Sequence, residues 1–410
     1  MTETAIGNAA NTAWLGEFPS HWQVIRIKNL FQEMDSRSET GSEELLSVSH
    51  YTGVTLKRES LENEDDHLTN AASLVGYKLV QQGDLVINIM LAWNGSLGIS
   101  PYNGMTSPAY CVYRIKGDNN PEYFGYLFTT NLFKAEFRRH STGIIDSRLR
   151  LYSDKFFSIF TVVPPKVEQD EIVQYIKTQE EKINLFIQKK QRFIELLKEQ
   201  RQRVVEEVIK NGTNQKVEFK ETGIGWLGKI PKHWRICRLK ECGTYKSGDN
   251  ITSEQIEPIG EYPVYGGNGL RGYFDNYTHD GDFALIGRQG ALCGNINYAH
   301  GKFWASEHAV VVTLNQDIEL YWFGETLKVM NLNQYSQSAA QPGISVDRIR
   351  ALHMPLPPIE DQKQIVSHIK TETATIDTAI AKAEREIELI KEYKEAMISE
   401  AVMGKIVVSG

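Results

Sequence analysis

WLGEFPSHW, Trp14 to Trp22, returns as WLGKIPKHW, Trp226 to Trp234. PPKVEQDEIVQYIKT, from Pro164, returns as PPIEDQKQIVSHIKT, from Pro357. Two motifs repeated in the same order mean a duplicated architecture, so the chain is built from two related halves. The first pair is offset by 212 residues and the second by 193, which makes the intervening stretch 19 residues shorter in the second half. From about Asp154 to Asn211 the 193-residue offset needs no gap, and IELLKE from Ile194 falls on IELIKE from Ile387. Between the motifs similarity is thin. The pattern is two variable modules on one repeated frame.

The frame is helical. After Pro164-Pro165 the chain reads as helix to about Asn211, with Gly212 as its stop. Val173, Ile176, Ile183, Ile187, Ile194, Leu197, Val204 and Val208 recur in steps of three, four and seven, which marks a seam along the whole helix. The second copy places Val366, Ile369, Ile376, Ile380, Ile387, Ile390, Met397 and Ala401 at equivalent positions and stops at Gly404. Helices of about forty residues, roughly 60 Å long, far exceed the usual dozen. Such a length with a narrow apolar stripe favours a two-stranded coiled coil whose partner is the other copy, paired antiparallel under a pseudo-two-fold axis. The expected organisation is a first module over 1–160 (core 23–155), a first spacer helix over 161–212, a second module over 213–353 (core 235–348) and a second spacer helix over 354–410.

Composition bounds the class. At 410 residues, 41% hydrophobic and 24% charged, the chain has room for two or three cored domains. MTETAIGNAANTAW has neither a positive n-region nor an apolar h-region, and no stretch approaches the roughly 18 apolar residues of a membrane span, so a cytoplasmic protein is expected. Cys111, Cys237, Cys242 and Cys293 form no CxxC pair, and free thiols are expected rather than a zinc site or disulfides. The tryptophans of the repeated motif flank a Gly and a Pro, and are expected to pack helix ends onto the modules. GIGWLGKI from Gly223 is not a phosphate loop, because Ile230 and Pro231 stand where the metal-binding hydroxyl and the helix should follow.

Both modules read as short strands and turns with a helix or two, hence α+β. GDLVINIM from Gly83 precedes Gly95 and Gly98, and GDFALIGR from Gly281 precedes Gly290 and Gly294, so a turn, a buried strand and a glycine-marked bend are shared. The inserts between these marks are not. Side chains suited to base edges or phosphates are Lys57, Arg58, Asn88, Asn94, Arg138, Arg139, His140, Arg148 and Arg150 in module one. Module two offers Asn268, Arg271, Arg288, Gln289, Asn295, Gln334, Gln337 and Gln341. Arg pairs with guanine and Asn or Gln with adenine in the major groove. The Arg138-Arg139-His140 cluster and the Gln-rich run after Asn331 stand at equivalent places before the long helices.

No nucleophile elbow, HExxH or paired-carboxylate signature occurs. VPPK and LPPI lack the preceding Asp or Asn and following aromatic of an amino-methyltransferase site, and Gly267-Asn268-Gly269 lacks the strand and third glycine of a dinucleotide loop. The chain reads as a binder, with no catalytic or metal-ligating residue.

The double motif of WLG, Pro and HW, a variable region, then PPxxEQxxIV entering a long helix, resembles the specificity subunit of type I restriction-modification systems. Pro164-Pro165, Glu168-Gln169 and Ile172-Val173 match that junction, while the second copy has Asp361-Gln362. The resemblance spans nearly the whole chain. It implies that each module is a target recognition domain reading one half of a split, asymmetric site on double-stranded DNA, and that the helices set the gap and dock two methyltransferase (M) subunits, with restriction/translocase (R) subunits joining the complex. S-adenosylmethionine, ATP and Mg would belong to those partners, with no cofactor in this chain. Net charge is −7, and from Glu241 to Val346 twelve Asp and Glu face five Lys and Arg, so the chain alone is expected to grip phosphates poorly. Two other classes stay open at this point: a coiled-coil protein-interaction scaffold without DNA specificity, and an enzyme with an unfamiliar site.

Overall fold

The computed structural model describes residues 12–57, 73–214, 216–290, 292–336 and 342–406. The chain divides into two compact units, one of Met1–Lys189 with Glu386–Gly410, the other of Lys190–Arg385. In chain order the first unit forms β1 (Gln23–Arg26), α1 (Ile27–Leu30), β2 (Phe31–Met34), β3 (Leu46–Ser49), β4 (Gly53–Leu56), β5 (Lys78–Val80), β6 (Leu85–Ile87), β7 (Leu97–Ile99), β8 (Gly104–Thr106) and β9 (Cys111–Ile115). Helices α2 (Pro121–Phe128), α3 (Asn131–His140) and α4 (Ser153–Ser158), strand β10 (Phe160–Val163) and the long helix α5 (Lys166–Asn211) follow, the last belonging to the second unit from Lys190 on. The central sheet runs β2-β9-β6-β7, all antiparallel, and β1 pairs with β10 from Gln23↔Val163 to Arg26↔Phe160.

Strand β6 reads Leu-Val-Ile because both of its faces are covered. Leu85 and Ile87 join an aromatic core with Phe124, Phe128, Phe133, Phe137 and Phe156 from the helices, while Val86 points into a smaller cluster with Leu46, Val54 and Val80 of the flanking hairpins. Each such buried side chain stabilises the module by about 1.5–3 kcal/mol. Helix α2 begins where it does because Asn120 Oδ1 accepts from Glu122 N at 3.0 Å and Pro121 needs no helical donor.

The second unit forms β11 (Phe219–Glu221), β12 (Lys229–Pro231), β13 (Arg235–Arg238), β14 (Gly243–Ser247), β15 (Tyr262–Gly266), β16 (Gly269–Phe274), β17 (His279–Asp280), β18 (Phe283–Gly287), β19 (Ile296–Ala299), β20 (Lys302–Ala305) and β21 (Ala309–Leu314). Helix α6 (Leu320–Met330), helix α7 (Val346–Ala351), strand β22 (His353–Leu356) and the long helix α8 (Ile359–Val402) follow, the last belonging to the first unit from Glu386 on. Its central sheet, β14-β21-β18-β19, repeats the order β2-β9-β6-β7, and β13–β22 repeats β1–β10. The duplication seen in the motifs is thus a duplication of fold. The inserts differ as their sequences do. Module one adds the pairs β3–β4 and β5–β8, and module two adds a sheet, β16-β15-β20-β17, with a parallel β15–β20 step.

Within each unit the two long helices lie antiparallel. In the first, Ile172, Val173, Ile176 and Ile183 share a core with Met397, Ala401 and Val402, and Lys394 Nζ lies 2.9 Å from Glu180 Oε1. In the second, Val205, Val208 and Ile209 share a core with Ile365, Val366 and Ile369, and Arg201 Nε lies 2.8 Å from Asp377 Oδ1. Every residue of the sixteen-member seam is buried or half-buried. Ile172, Val205, Ile209 and Ile365, outside that seam, are buried as well. At those positions a helix faces both its partner helix and the module packed beside it, so a single stripe does not suffice.

The repeated motif fixes each helix to its module. In unit one Trp22 Nε1 donates to Glu168 Oε2 at 2.8 Å and His21 Nε2 meets Glu168 Oε1 at 2.7 Å. In unit two Trp234 Nε1 and His233 Nε2 both reach Asp361 Oδ2 at 2.9 Å, so the Asp standing in for Glu keeps the contact. The next residue is a buried clamp. Gln169 Nε2 donates to Pro164 O at 2.8 Å while its Oε1 accepts from the α2 cap, Asn120 N, at 2.8 Å. Gln362 does the same with Pro357 O at 3.0 Å and the α6 cap, Glu319 N, at 2.8 Å. Trp14 packs edge-on against Phe133 at 5.1 Å, and Trp226 is half-buried on the second core.

Among the described residues no helix is long and apolar enough to cross a membrane, and no group of three or more His, Cys, Asp or Glu could hold a metal. All four cysteines are free and buried.

Candidate nucleic-acid interface

The bend after the buried strand is closed by an equivalent backbone hydrogen bond in the two modules. Asn88 N donates to Ser96 O at 3.0 Å across the β6–β7 loop, and Gly287 N to Asn295 O at 2.8 Å across the β18–β19 loop. Each loop ends on a glycine with φ +87°, Gly95 and Gly294. A Cβ on Gly294 would stand 2.6 Å from Asn333 N, so glycine is required there by both the backbone angle and the space, while at Gly95 the angle favours glycine and the nearest atom is the movable Lys134 Cε at 2.6 Å. A second loop is tied alongside. Leu151 N donates to Ile89 O at 2.9 Å in module one, and Ile344 N donates to Arg288 O at 3.0 Å in module two. Each module therefore presents a pair of adjoining loops, 88–96 with 141–151 and 287–295 with 336–344, of which 291 and 337–341 lie outside the described residues.

Most of the sequence-predicted side chains fall on these loops or beside them. In module one, Arg138 joins the two: its Cζ lies 5.2 Å over the Trp93 ring, next to Asn94, and its Nη2 donates to Asp146 Oδ1 at 2.7 Å. Arg148 and Arg150 stand on the second loop, Arg148 exposed and Arg150 donating to Leu149 O at 2.8 Å. Arg139 is held in a fork by Glu136 at 2.5 and 2.7 Å, which raises its guanidinium above the ordinary value, and His140 Nδ1 lies 3.1 Å from Glu136 O. Asn88 is buried, its Oδ1 accepting from Met90 N at 3.1 Å and its Nδ2 facing Tyr110 Oη at 3.2 Å; it shapes the loop rather than facing solvent. Lys57 ends the β3–β4 hairpin, half-buried, and Arg58 lies outside the described residues.

In module two, Arg288, Gln289 and Asn295 share the first loop, and Asn295 Nδ2 donates to Asn268 Oδ1 at 3.1 Å, which brings in the β15–β16 turn. Arg288 is half-buried, donating from Nη1 to Ser247 Oγ at 3.0 Å, with a buried Nε that has no hydrogen-bond partner among the described residues. Gln334 donates to Met330 O at 2.6 Å, and Arg271 donates more weakly to Ser253 Oγ at 3.4 Å. Gln337 and Gln341 lie outside the described residues. Sequence reasoning missed Trp93, which stands on the first loop under Arg138, and Lys134, which α3 brings against Gly95. It also missed the uneven distribution of charge in module two: residues 287–295 and 331–346 contain no Asp or Glu at all.

Two modules of one fold, each attached to paired antiparallel helices and each carrying an equivalent loop pair with different side chains, define a protein of duplicated modular architecture. Residues 231–389 match the family of the type I restriction modification DNA specificity domain. The chain is 42% identical over 154 residues, 38% of its length, to the type I restriction enzyme EcoprrI specificity subunit of Escherichia coli. It is 28% identical over 135 residues, 30% of its length, to a putative type I restriction enzyme specificity subunit of Haemophilus influenzae. These matches span 37% and 35% of the two relatives' lengths. In fold it is similar, at a TM-score of 0.66 and 15% identity, over 95% of this chain and 100% of the other, to a chain from a structure on complex assembly and conformational transition of the type I R-M system. The chain is thus similar to type I restriction-modification proteins, by sequence over residues 231–389 and by fold over nearly its whole length.

Proposed function

We propose that this chain is the DNA-reading subunit of a type I restriction-modification assembly in the cytoplasm and is itself non-catalytic. Each module reads one half of a split, asymmetric site, and the long helices dock two methyltransferase subunits, which restriction subunits join. S-adenosylmethionine, ATP and Mg serve on those partners. The supporting observation is the repeated loop pair: one backbone, held by equivalent hydrogen bonds, displays Asn94, Arg138 and Arg148 in one module and Arg288, Gln289 and Asn295 in the other. Equal scaffolds with unlike donors and acceptors are what two unlike half-sites require, since the major groove distinguishes bases by that pattern. Mapping methylated adenines in the host genome with and without the gene tests the reading. One bipartite motif disappears on deletion; an unchanged map overturns it.

A further inference from the structure

The acidic residues of module two are concentrated in one place. From Asp249 to Asp282 there are seven Asp and Glu against the single Arg271, and this stretch builds β15, β16 and β17. With β20 these strands form the added sheet. One side of it is ordinary core: Tyr265, Phe303 and Ala305 pack on Leu285 and Val311 of the central sheet. Side chains alternate along a strand, so Tyr262, Phe274, Lys302 and Trp304 stand on the other side, as the pairings Tyr262↔Phe274 and Val264↔Trp304 require. The outer face of a sheet in water is ordinarily polar. This one is apolar: Val264 is fully buried on it, and Tyr262, Phe274 and Trp304 are half-buried. Phe274 lies edge-on to Trp304 at 5.2 Å, and Tyr262 lies 5.1 Å from Tyr277, which is 39% exposed. Acids border the rings: Glu261 Oε1 accepts from Tyr262 Oη at 2.5 Å, and exposed Asp280 pairs in register with Lys302.

We propose that this face docks a segment of a partner protein subunit that presents lysine or arginine side chains. The charge favours that occupant and opposes a nucleic acid, whose phosphates would meet seven carboxylates over the stretch; the acid-free loops 287–295 and 331–346 are where a phosphate backbone is tolerated. The rings already hold an ammonium from within the chain, with Lys302 Nζ 4.6 Å from the Tyr277 centroid and 6.0 Å from that of Tyr262, so they offer faces that attract a cation. Tyrosine and tryptophan among charged residues are also the side chains that dominate protein interfaces energetically. The proposal rests on the reading that the chain works inside an assembly of subunits.

Hydroxyl-radical footprinting of the full chain, free and assembled with the methyltransferase subunit of the same system, tests it. Oxidation of Tyr262, Tyr277 and Trp304 falls severalfold on assembly, and the double charge reversal Glu261→Lys with Asp280→Lys raises the dissociation constant of the assembly at least tenfold. Unchanged oxidation of those three residues in a formed assembly overturns the proposal and leaves the DNA-reading function standing. Protection of the same residues by duplex DNA alone overturns it too. Failure of the two subunits to assemble defeats both this inference and the multi-subunit reading beneath it. The wild-type footprint needs no variant, so misfolding of the charge-reversed chain does not rescue the idea.

Discussion

Gln169 and Gln362 show most clearly how one residue type serves the same purpose twice. Both are almost wholly buried, and both spend their amide on the Pro-Pro carbonyl before a long helix and on the backbone N–H that starts a module helix. A buried donor or acceptor that loses its partner costs about 1–3 kcal/mol, so Gln169→Leu is expected to destabilise the chain by that amount. Urea denaturation with and without the substitution reads it, and a loss below about 0.5 kcal/mol would refute the clamp. The neighbouring acid tolerates a change of length, as Glu168 and Asp361 show by receiving the same indole and imidazole. The motif's residue order carried this information, but the partner of each side chain did not appear in it. Gln169 and Asn120 are 49 residues apart, and nothing in their spacing announces a hydrogen bond.

At the scale of elements, the helices were the most legible part because their signal is periodic and long. The seam residues are all buried or half-buried, whereas the second buried row at the helix ends escaped the pattern, since it depends on modules folding back against the helix. The stops were legible as glycines, and the structure gives the reason. Gly212 and Gly404 have φ of +72° and +68°, and a Cβ on Gly404 would stand 2.6 Å from Pro19 Cδ and 2.8 Å from Trp22 Cζ2. On Gly212 the nearest atom would be Trp234 Cζ2 at 3.0 Å. The end of α8 therefore closes onto the first WLG motif as the end of α5 closes onto the second. Gly404→Ala combines a disfavoured backbone angle with a collision against a proline ring, and a loss of about 1–3 kcal/mol is expected. Gly212→Ala, meeting a roomier neighbour, should lose less. Thermal unfolding of the two variants decides the order, and equal, negligible losses would show that the glycines are incidental. The paired loops were the least legible element. Their glycines were visible, but the pairing of each β-hairpin loop with a second loop some fifty residues later is a tertiary fact, and it is what separates buried Asn88 from exposed Arg148.

For the molecule as a whole, the duplication makes the two halves independent in a testable way. Each module carries its own central sheet, its own core and its own clamp to a helix start, and the clamps use residues of the repeated frame rather than of the inserts. A foreign module entered at the β1–β10 pair would therefore inherit Trp22, Glu168 and Gln169 unchanged, provided that its first helix offers a backbone N–H to Gln169. On the proposed reading, exchanging residues 23–155 for those of a related chain alters one half of the methylated site and leaves the other half as it was, because the side chains facing the second half, from Arg288 to Gln334, are untouched. Adenine methylation mapped in a host carrying the exchanged chain is the measurement. A change in both halves would mean that the modules read the duplex jointly, and the repeated frame would then be a relic of ancestry rather than the means by which specificity is divided.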